Sequence, residues 1–598
     1  MAGSKDPQGG TAGVSMGTRR LRIGLAMMLL LLLVLGGRLF QIQGIDPDGM
    51  AQAAVDNRTR SFPVAPLRGD IIGAQGDVLA TSVQRFHITV DQQNVLDEFK
   101  RITPDNELVT VTKDEAVAKL ANVLDKPEKK VKDDLTGDDR FHYVAKGVSP
   151  AVRDKVMNLG IPGIVAQATS ERTYPSGSVA GSIVGYLGSD GAALGGIELT
   201  KDDKLSGTPG KISYQIGADG IPIPTAPRKE KPAVDGTSIQ LTINQDIQWF
   251  AQQQIKSQVD RLSAEWGSIV VLEAETGRVV AMAQSQAPDP NSPGKTQSNR
   301  RQAIGVTTAF EPGSTQKLIT MAAVIEEGIA GPLSEFTVPP SYTVDGQTFS
   351  DAFEHGTQER TLAGIFGDSM NTGTVMAGEQ LTKQERYDWM RKFGIGQKTG
   401  VALPGETAGI LEKPKNWDVR QKYTVLFGQG VAQTALQTAV AYQTIANDGV
   451  RLKPRLIDAY IEPDGTRHEV GKKKAQRVVS HKTAQQLQDM LETTVTDAGA
   501  QLAQMESYRV GGKTGTAEAP GKNGGYNGYT ASFVGMAPME DPQYVVGVTL
   551  QRPQGNIYGI TAGPTFTAVM GHVLHTFDVP PSTGKPAHLP LFASEKRE

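Results

Sequence analysis

The sequence predicts an α/β fold of the α+β type, in which one antiparallel sheet is flanked by helices and follows a single membrane helix. Three observations predict it. An uncharged apolar run lies near the N-terminus, β-rich runs occur near residues 268–283 and again near 532–550, and mostly helical patterns separate the two strand pairs. Strands at both ends of a domain with helices between them are typical of one antiparallel sheet covered by helices.

The N-terminal run predicts a membrane helix over residues 21–42. Three arginines between residues 19 and 22 precede an uncharged stretch of 15 residues from Ile23 to Gly37, and apolar residues continue past Arg38. Because about 20 apolar residues are needed to cross a bilayer, Arg38 has to extend its side chain to the interface. The basic residues before the run place the N-terminus in the cytoplasm and the rest of the chain outside.

A cleaved signal peptide is the alternative interpretation of this run. A small-x-small site occurs at residues 51–53, but it lies well beyond the apolar stretch, and cleavage sites normally follow that stretch closely. Residues 1–20, rich in glycine, serine and threonine, are predicted to be a disordered cytoplasmic tail.

Composition excludes several kinds of site and partner. The net charge of the 598-residue chain is only −3, which argues against nucleic acid as a partner. The absence of cysteine excludes disulfides, thiolate metal sites and cysteine nucleophiles. His572 and His575 are the only helix-spaced histidines and have no evident third ligand, so we predict no cofactor.

A boundary near residue 236 divides the extracytoplasmic part of the chain. The charged, proline-marked residues 229–232 suggest it, which gives a region over 43–235, a second domain over 236–578 and a loose tail over 579–598. The second domain is predicted to have four sheet strands in two pairs, the first pair joined by a Glu-Thr-Gly turn, after an initial strand and helix. The predicted strands are 238–243, 268–272, 278–283, 532–536 and 544–550, and the predicted helices include 246–258, 318–325 and 436–446.

The sharpest chemical feature is the segment EPGSTQK at residues 311–317, directly before an apolar helix. Ser314 and Lys317 are three residues apart and share a helix face. A serine hydroxyl needs a base to become a nucleophile, and a buried lysine beside a second cation can serve because its pKa is lowered. Backbone N–H groups at the helix N-terminus can in addition stabilise an oxyanion.

Two further motifs strengthen a pattern that is weak alone. Ser369-Met370-Asn371 is the only Ser-x-Asn in the chain, and Lys513-Thr514-Gly515 precedes the last strand pair, where an edge strand can line a cleft. Copies of these motifs at residues 292–295, 582–585 and 398–400 lie in proline- or glycine-marked segments. We therefore predict that the copies have no catalytic role.

Ser-x-x-Lys, Ser-x-Asn and Lys-Thr-Gly in this order resemble the motifs of penicillin-binding proteins and serine β-lactamases. The likeness is to division-type class B penicillin-binding proteins, from the membrane segment to about residue 575. It is carried also by RTYPSG at 172–177, GIE at 196–198, FGQG at 427–430 and ANDG at 446–449. In an early Arg-Gly-x-Ile-x-Asp-Arg-x-Gly box, Gly73-Ala74 stands where the family has Asp-Arg, which puts any salt bridge made there by relatives in question.

The resemblance implies a septal peptidoglycan D,D-transpeptidase that works through a serine acyl-enzyme and is trapped by β-lactams. Ser314 would attack the penultimate D-Ala carbonyl while Lys317 accepts its proton. Ser369 would relay a proton to the departing D-Ala, and Asn371 would bind the substrate backbone. Lys513 would supply positive field, and Thr514, Gly515 and Thr516 would form the strand segment that binds the terminal carboxylate.

The resemblance also implies partners. These are stem peptides ending in D-Ala-D-Ala, β-lactams, the cytoplasmic membrane, a membrane glycosyltransferase and other division proteins. Residues 43–235 would form an elongated, mostly-β pedestal of the penicillin-binding dimerisation type, and 236–578 the transpeptidase domain. A D,D-carboxypeptidase shares all three motifs, and a β-lactam-binding scaffold or sensor could keep the fold, so both stay open. A β-lactamase with a Glu-activated water is disfavoured, because the chain has no Leu-Asn dipeptide.

Overall fold

The computed structural model describes residues 15–41, 44, 52, 55–102, 107–215, 223, 225–471, 475–521 and 524–597. Its contacts divide the chain into two compact units. The first comprises residues 1–65, 86–168 and 209–233, and the second comprises 66–85, 169–208 and 234–598. The second unit therefore takes two segments that the sequence assigns to the pedestal, and in the first of them Ile71–Ile72 pairs with Ser238–Leu241.

One long helix, Ser15–Phe40, occupies the N-terminal run. Within the described residues it is the only helix long and apolar enough to cross a membrane, over Thr18–Phe40 with a mean hydropathy of 2.3. Arg38 lies in its last turn and donates a hydrogen bond from Nη1 to Gln41 Oε1 at 2.7 Å. Residues 1–14, which hold most of the predicted tail, and Ala51 and Ala53 of the alternative cleavage site lie outside the described residues.

The first unit mixes short strands with capped helices. Thr59–Val64, Gly210–Gln215 and Lys229–Lys231 form a small antiparallel sheet. The segment 86–168 has its own core, in which Leu120, Val131 and Leu135 are fully buried. Its elements are the strands Glu98–Ile102, Leu108–Thr112 and His142–Val148 and the helices Gln92–Asn94 (3-10), Lys113–Leu124, Glu128–Asp134 and Pro150–Met157. The strands Val78–Val90 and Ile164–Thr173 each have residues in both units, because a unit boundary falls within each strand.

The second unit is built on the predicted antiparallel sheet. Its order is Val279–Gln284, Trp266–Glu273, Tyr544–Gln551, Tyr526–Ala537 and Gly511–Pro520. Successive side chains of a strand point to opposite faces, and both faces are buried here. Ile269 and Val271 join one core cluster, whereas Val270 and Leu272 join the other.

Helices cover the two faces. Gln245–Leu262 and Gly563–Thr576 contribute to one cluster, and Lys317–Glu326, Ala435–Ala446 and His481–Thr496 to the other. Thr434 begins Ala435–Ala446 with a capping box, in which Gln437 bonds back to the Thr434 backbone N–H at 2.7 Å. The remaining helices of this unit are Gly181–Val184, Gly196–Thr200, Asp202–Leu205, Ile304–Thr307, Leu362–Gly367, Asn371–Gly378, Lys383–Lys392 and Gln421–Thr424, with 3-10 turns at Pro293–Lys295, Ser298–Arg300, Gly313–Gln316, Pro414–Asn416, Val425–Phe427, Gln501–Ala503, Gly559–Ala562 and Ala593–Arg597.

Short strands complete the unit. Ser238–Leu241 pairs in parallel with Ile71–Ile72 and antiparallel with Ile457–Ile461. This pairing explains why residues near 70 belong with the C-terminal part of the chain. The other short strands are Ala309–Phe310, Glu335–Val338, Ser341–Val344, Gln347–Ser350, Gln358–Thr361, Gln433–Thr434, Val450–Arg451, Arg467–Glu469 and Gln476–Arg477.

A buried ion cluster ties together the early segments of the second unit. Glu198 is fully buried and accepts hydrogen bonds from Arg68 Nε at 2.6 Å and from Arg172 Nε at 2.7 Å. Arg68 also pairs with Asp202 at 2.5 Å. The three family-like segments around residues 68, 172 and 198 therefore converge on one carboxylate, although Gly73-Ala74 departs from the family pattern.

The residues beyond Val579 are not loose in the structure. The Thr361 N–H donates to the Leu591 carbonyl at 3.2 Å, and the Arg360 guanidinium lies 3.7 Å from the centre of the Phe592 ring. Ala593 is buried. These few contacts hold the segment that the sequence predicts to be a loose tail. Its proline-marked sequence has no periodicity that would indicate them.

Candidate active site

Ser314 lies at the N-terminal end of the predicted apolar helix. It belongs to a 3-10 turn, Gly313–Gln316, from which the helix Lys317–Glu326 continues. Gly313 has a φ of +54°, and a Cβ there would lie 2.6 Å from the Thr516 carbonyl oxygen. Only glycine fits that position, and this close approach brings the backbone at Ser314 beside the strand that carries Thr516.

Lys317 follows Ser314 by three residues, is fully buried and lies close to Ser369. Its Nζ donates to the Ser369 carbonyl oxygen at 2.5 Å and lies 3.4 Å from Ser369 Oγ. Burial lowers the pKa of Lys317 well below its usual value, Lys513 lowers it further, and Asp351 raises it. An amine that sheds its proton this readily can act as the base for a serine hydroxyl.

Ser369 occupies a strained turn between two helices. Its φ is +60°, in the left-handed region that residues with a Cβ rarely adopt. The turn is held by hydrogen bonds from the Ser369 N–H to Phe366 O at 3.1 Å and from the Met370 N–H to Ile365 O at 2.9 Å. Strain of this kind costs about 1–3 kcal/mol and is common at active sites. In this conformation the Ser369 carbonyl lies within hydrogen-bond distance of Lys317.

Lys513 lies on the edge strand of the sheet, Gly511–Pro520, hereafter the lysine strand. It is fully buried, and burial lowers its pKa to about 7, with Asp368 acting in the opposite direction. Its Nζ lies 3.4 Å from Thr514 Oγ1. The site therefore contains two buried lysines, and the charge of Lys513 lowers the pKa of Lys317.

An open cleft of about 610 Å³ brings the predicted polar side chains together. Ser314, Ser369, Asn371, Thr514 and Thr516 all line it. Lys317 and Lys513 are buried behind this wall. Gly515 does not line the cleft, because it is buried on the other face of the lysine strand, where a Cβ would lie 2.4 Å from Ser532 Oγ.

Several lining residues were missed by sequence reasoning. Glu518 shares the cleft face of the lysine strand with Thr514 and Thr516, and the strand's period of two could have predicted this. Tyr529 and Tyr558 also line the cleft, but they come from distant segments without a motif. The Thr516 hydroxyl accepts a hydrogen bond from the Gly559 N–H at 2.9 Å, so the segment that carries Tyr558 is fastened to the lysine strand.

The family-like segment FGQG packs against the nucleophile turn. Gly428 has a φ of +86°, and a Cβ there would lie 2.1 Å from the Gly313 carbonyl oxygen. Glu311 accepts a hydrogen bond from the Gly430 N–H at 2.9 Å. Burial raises the pKa of Glu311 and the negative charge of Glu518 raises it further, while the bond from Gly430 lowers it.

None of the three motif copies lines this cleft. The 398–400 triplet is in a loop, where the Thr399 N–H and hydroxyl both donate to Glu406 at 2.5 Å. Ser292 precedes a 3-10 turn, and Ser582 bonds to the Arg509 N–H and to Glu540. His572 pairs with Asp246 at 2.7 Å and stacks on Phe250.

Comparison with known proteins agrees with the motifs. Residues 267–571 match the family model of the penicillin-binding protein transpeptidase domain, and residues 63–241 match that of the penicillin-binding protein dimerisation domain. Penicillin-binding protein PbpB of Mycolicibacterium smegmatis is 36% identical over 603 residues, which cover 95% of this chain and 92% of that protein. Peptidoglycan D,D-transpeptidase FtsI of Escherichia coli is 30% identical over 559 residues, with 93% and 91% covered.

Solved structures give the same result. Penicillin-binding protein 3 of Mycobacterium tuberculosis, complexed with aztreonam, superposes with a TM-score of 0.68 at 30% identity. The alignment covers 88% of this chain and all of that one. With both family models matched in order over most of its length, the chain belongs to the penicillin-binding proteins, in the class B arrangement of a dimerisation domain followed by a transpeptidase domain.

Proposed function

We propose that this protein is a serine D,D-transpeptidase that cross-links peptidoglycan stem peptides during septal wall synthesis. The observation that carries the proposal is the cleft in which Ser314 is accessible while Lys317, fully buried with a lowered pKa, contacts Ser369. That arrangement provides a nucleophile, a base and a hydroxyl that can pass a proton on. The D,D-transpeptidase named above, FtsI, is a relative over nearly the whole chain.

In the first half-reaction, Ser314 Oγ attacks the carbonyl of the penultimate D-Ala while Lys317 takes the hydroxyl proton. The developing oxyanion is stabilised by the backbone N–H groups of Ser314 and Thr516, which the close approach of Gly313 to Thr516 brings near each other. The C–N bond to the terminal D-Ala then breaks. Ser369 relays a proton to the departing amine, and an ester on Ser314 remains.

In the second half-reaction, an amine of a neighbouring stem peptide attacks this ester. A new amide bond forms, the ester bond to Ser314 breaks, and the proton of the amine returns to Ser314 through Ser369 and Lys317. Asn371 binds the donor backbone. Thr514 and Thr516 face the cleft and bind the terminal carboxylate, whose negative charge is favoured by Lys513 behind them.

The acylation step can be tested with a penicillin, which presents the same amide to Ser314. We expect the intact mass of the full-length protein to rise by one opened β-lactam, and peptide mapping to place the adduct on Ser314. The Ser314→Ala variant should fold and stay unlabelled. Labelling that persists in Ser314→Ala, or a folded wild-type protein that takes no adduct, would contradict the proposal.

We also propose that the helix Thr18–Phe40 anchors the protein once in the cell membrane, with the N-terminus in the cytoplasm and the catalytic unit outside. The arginines before the apolar run support this orientation. By analogy with its relatives, residues 43–235 would dock a membrane glycosyltransferase and other division proteins. Exposed apolar side chains in the first unit, including Leu108, Phe141 and Tyr143, support a docking role.

A further inference from the structure

A buried carboxylate–imidazole pair lies next to the Ser369 turn and belongs to none of the three motifs. The side chains of Asp351 and His355 are only 1% and 3% exposed, and His355 Nε2 lies 2.8 Å from Asp351 Oδ2. Both residues follow the strand Gln347–Ser350. The adjoining residues Ala352 and Phe353 line the cleft, so the pair lies directly behind the cleft wall.

Asp351 binds the first residues of the helix Asn371–Gly378. One of its oxygens, Oδ1, accepts the backbone N–H of Asn371 and, at 3.1 Å, the N–H of Thr372. The other oxygen, Oδ2, accepts the Thr372 hydroxyl at 2.6 Å. A helix of this kind leaves its first N–H groups without partners inside the helix, and Asp351 satisfies two of them from a distant segment.

His355 holds Asp351 in turn. Its second ring nitrogen, Nδ1, lies 2.7 Å from the Gly356 carbonyl oxygen, so both nitrogens face acceptor oxygens. A carbonyl can only accept a hydrogen bond, and an ionised carboxylate likewise. The Nε2–H of His355 can therefore donate to the ionised Asp351 carboxylate. With four donors around it, the Asp351 carboxylate has little freedom to move.

Asp351 holds the C-terminal end of the turn that contains Ser369, because it binds the Asn371 N–H. Asn371 is two residues after Ser369, whose backbone is in the strained left-handed conformation. Lys317 is bonded to the Ser369 carbonyl at 2.5 Å. A shift of Asn371 would therefore change the place of Ser369, and with it the contact between Lys317 and the turn.

Given the acyl transfer proposed above, we propose that Asp351 and His355 are positioning residues, which hold the Ser369–Asn371 turn where acylation of Ser314 requires it. They touch neither substrate nor reacting atoms in this role. Their loss should slow acylation while leaving the fold intact, because a displacement of about 1 Å near a reacting group can lower a rate about 100-fold.

The test measures acylation of the full-length protein by a fluorescent penicillin, as a second-order rate constant over a range of pH. We expect Asp351→Asn to lower it about 100-fold and His355→Gln about 10-fold, in variants that remain folded. Thr372→Val, which removes one hydroxyl and keeps the shape, should lower it about 3-fold or more. His572→Gln is the control, since His572 also pairs with an aspartate, Asp246, but away from the cleft and in a more exposed place.

The pH profile separates positioning from general loss of structure. The acylation rate falls on the acid side as Lys317 takes up a proton, and Asp351 raises the pKa of Lys317. Asp351→Asn should therefore also move this acid limb of the pH profile to lower pH. Folded Asp351→Asn and His355→Gln proteins that acylate within about 2-fold of wild type would overturn the role. If those variants do not fold, a Thr372→Val rate equal to wild type would overturn it. A wild-type protein that is not acylated would instead overturn the acyl-transfer function itself.

Discussion

At the scale of single residues, the site depends on two lysines that differ in what surrounds them. Lys317 contacts Ser369, and the negative charge near it is that of Asp351. The negative charge near Lys513 is that of Asp368, and burial lowers the pKa of Lys513 to about 7. Near neutral pH, Lys513 is thus divided between its charged and neutral forms. Its charged form disfavours the charged form of Lys317 and so helps to keep the base ready.

This coupling predicts a shift in pH dependence. Acylation needs neutral Lys317, so its rate falls as pH drops through the pKa of that lysine. Lys513→Met removes a charge that lowers this pKa, so the acid limb should move to higher pH; a penicillin acylation profile measures it. Lys513→Arg keeps a cation and should show no upward movement. An unmoved limb in Lys513→Met would mean that the two lysines are not coupled.

The residues of the three motifs could be predicted from the sequence, because their order and spacing carry the chemistry. The strained φ of Ser369 and the Asp351–His355 pair could not. An Asp and a His four residues apart in a loop are common on protein surfaces, and only the fold shows that their side chains are buried beside Asn371. Gly515 was predicted in the substrate-binding segment. Because successive residues of a strand face opposite sides, Gly515 faces away from the cleft that Thr514 and Thr516 line.

At the scale of elements, periodicity predicted the sheet and helices of the second unit, and the structure extends most of them. The helix predicted over 246–258 runs from Gln245 to Leu262, since Asn244 caps its start by accepting the Ile247 N–H and Ser263 ends it in the left-handed conformation. The strand predicted over 532–536 runs from Tyr526 to Ala537. Almost all of it, from Tyr526 to Met536, pairs with the lysine strand, a contact that no local pattern reveals.

The strand His142–Val148 carries a second element-scale prediction. It pairs with Val78–Val90 at the edge of their sheet. Phe141 and Tyr143, at its start, are 50% and 39% exposed, and their ring centres are 5.0 Å apart. Exposed aromatic pairs are typical of protein interfaces. We expect the Phe141→Ser, Tyr143→Ser double variant to lose about 10-fold or more of its co-purification with a membrane glycosyltransferase, a loss of at least about 1.4 kcal/mol in binding.

The control for this surface is Trp249→Ser, because Trp249 is similarly exposed but lies in the second unit. It should leave co-purification unchanged. Both proteins should still be acylated by penicillin at the wild-type rate, since none of the three residues lines the cleft. Undiminished co-purification of the double variant would assign docking to another part of the protein.

At the scale of the whole molecule, the catalytic unit is assembled from segments far apart in the chain. Ile71–Ile72 pairs with Ser238–Leu241, and Glu198 joins Arg68 to Arg172. The sequence boundary near 236 marks a change in composition, but composition carries no information about pairing across more than 150 residues. For this reason the division into units could not be predicted, whereas local motifs were enough to predict the family resemblance from the membrane segment to about residue 575.

The helix Ser15–Phe40 leads to the last prediction, which concerns sidedness. The chain has no cysteine, so single cysteines at Ser4 and at the exposed Lys256 report position without background. With intact cells stripped of their wall, a membrane-impermeant maleimide should label Lys256→Cys at once. Ser4→Cys should be labelled only after the membrane is permeabilised, because the arginines at 19–22 favour a cytoplasmic N-terminus. Labelling of Ser4→Cys in intact cells would reverse the orientation, and loss of its label with release of the protein would instead indicate cleavage.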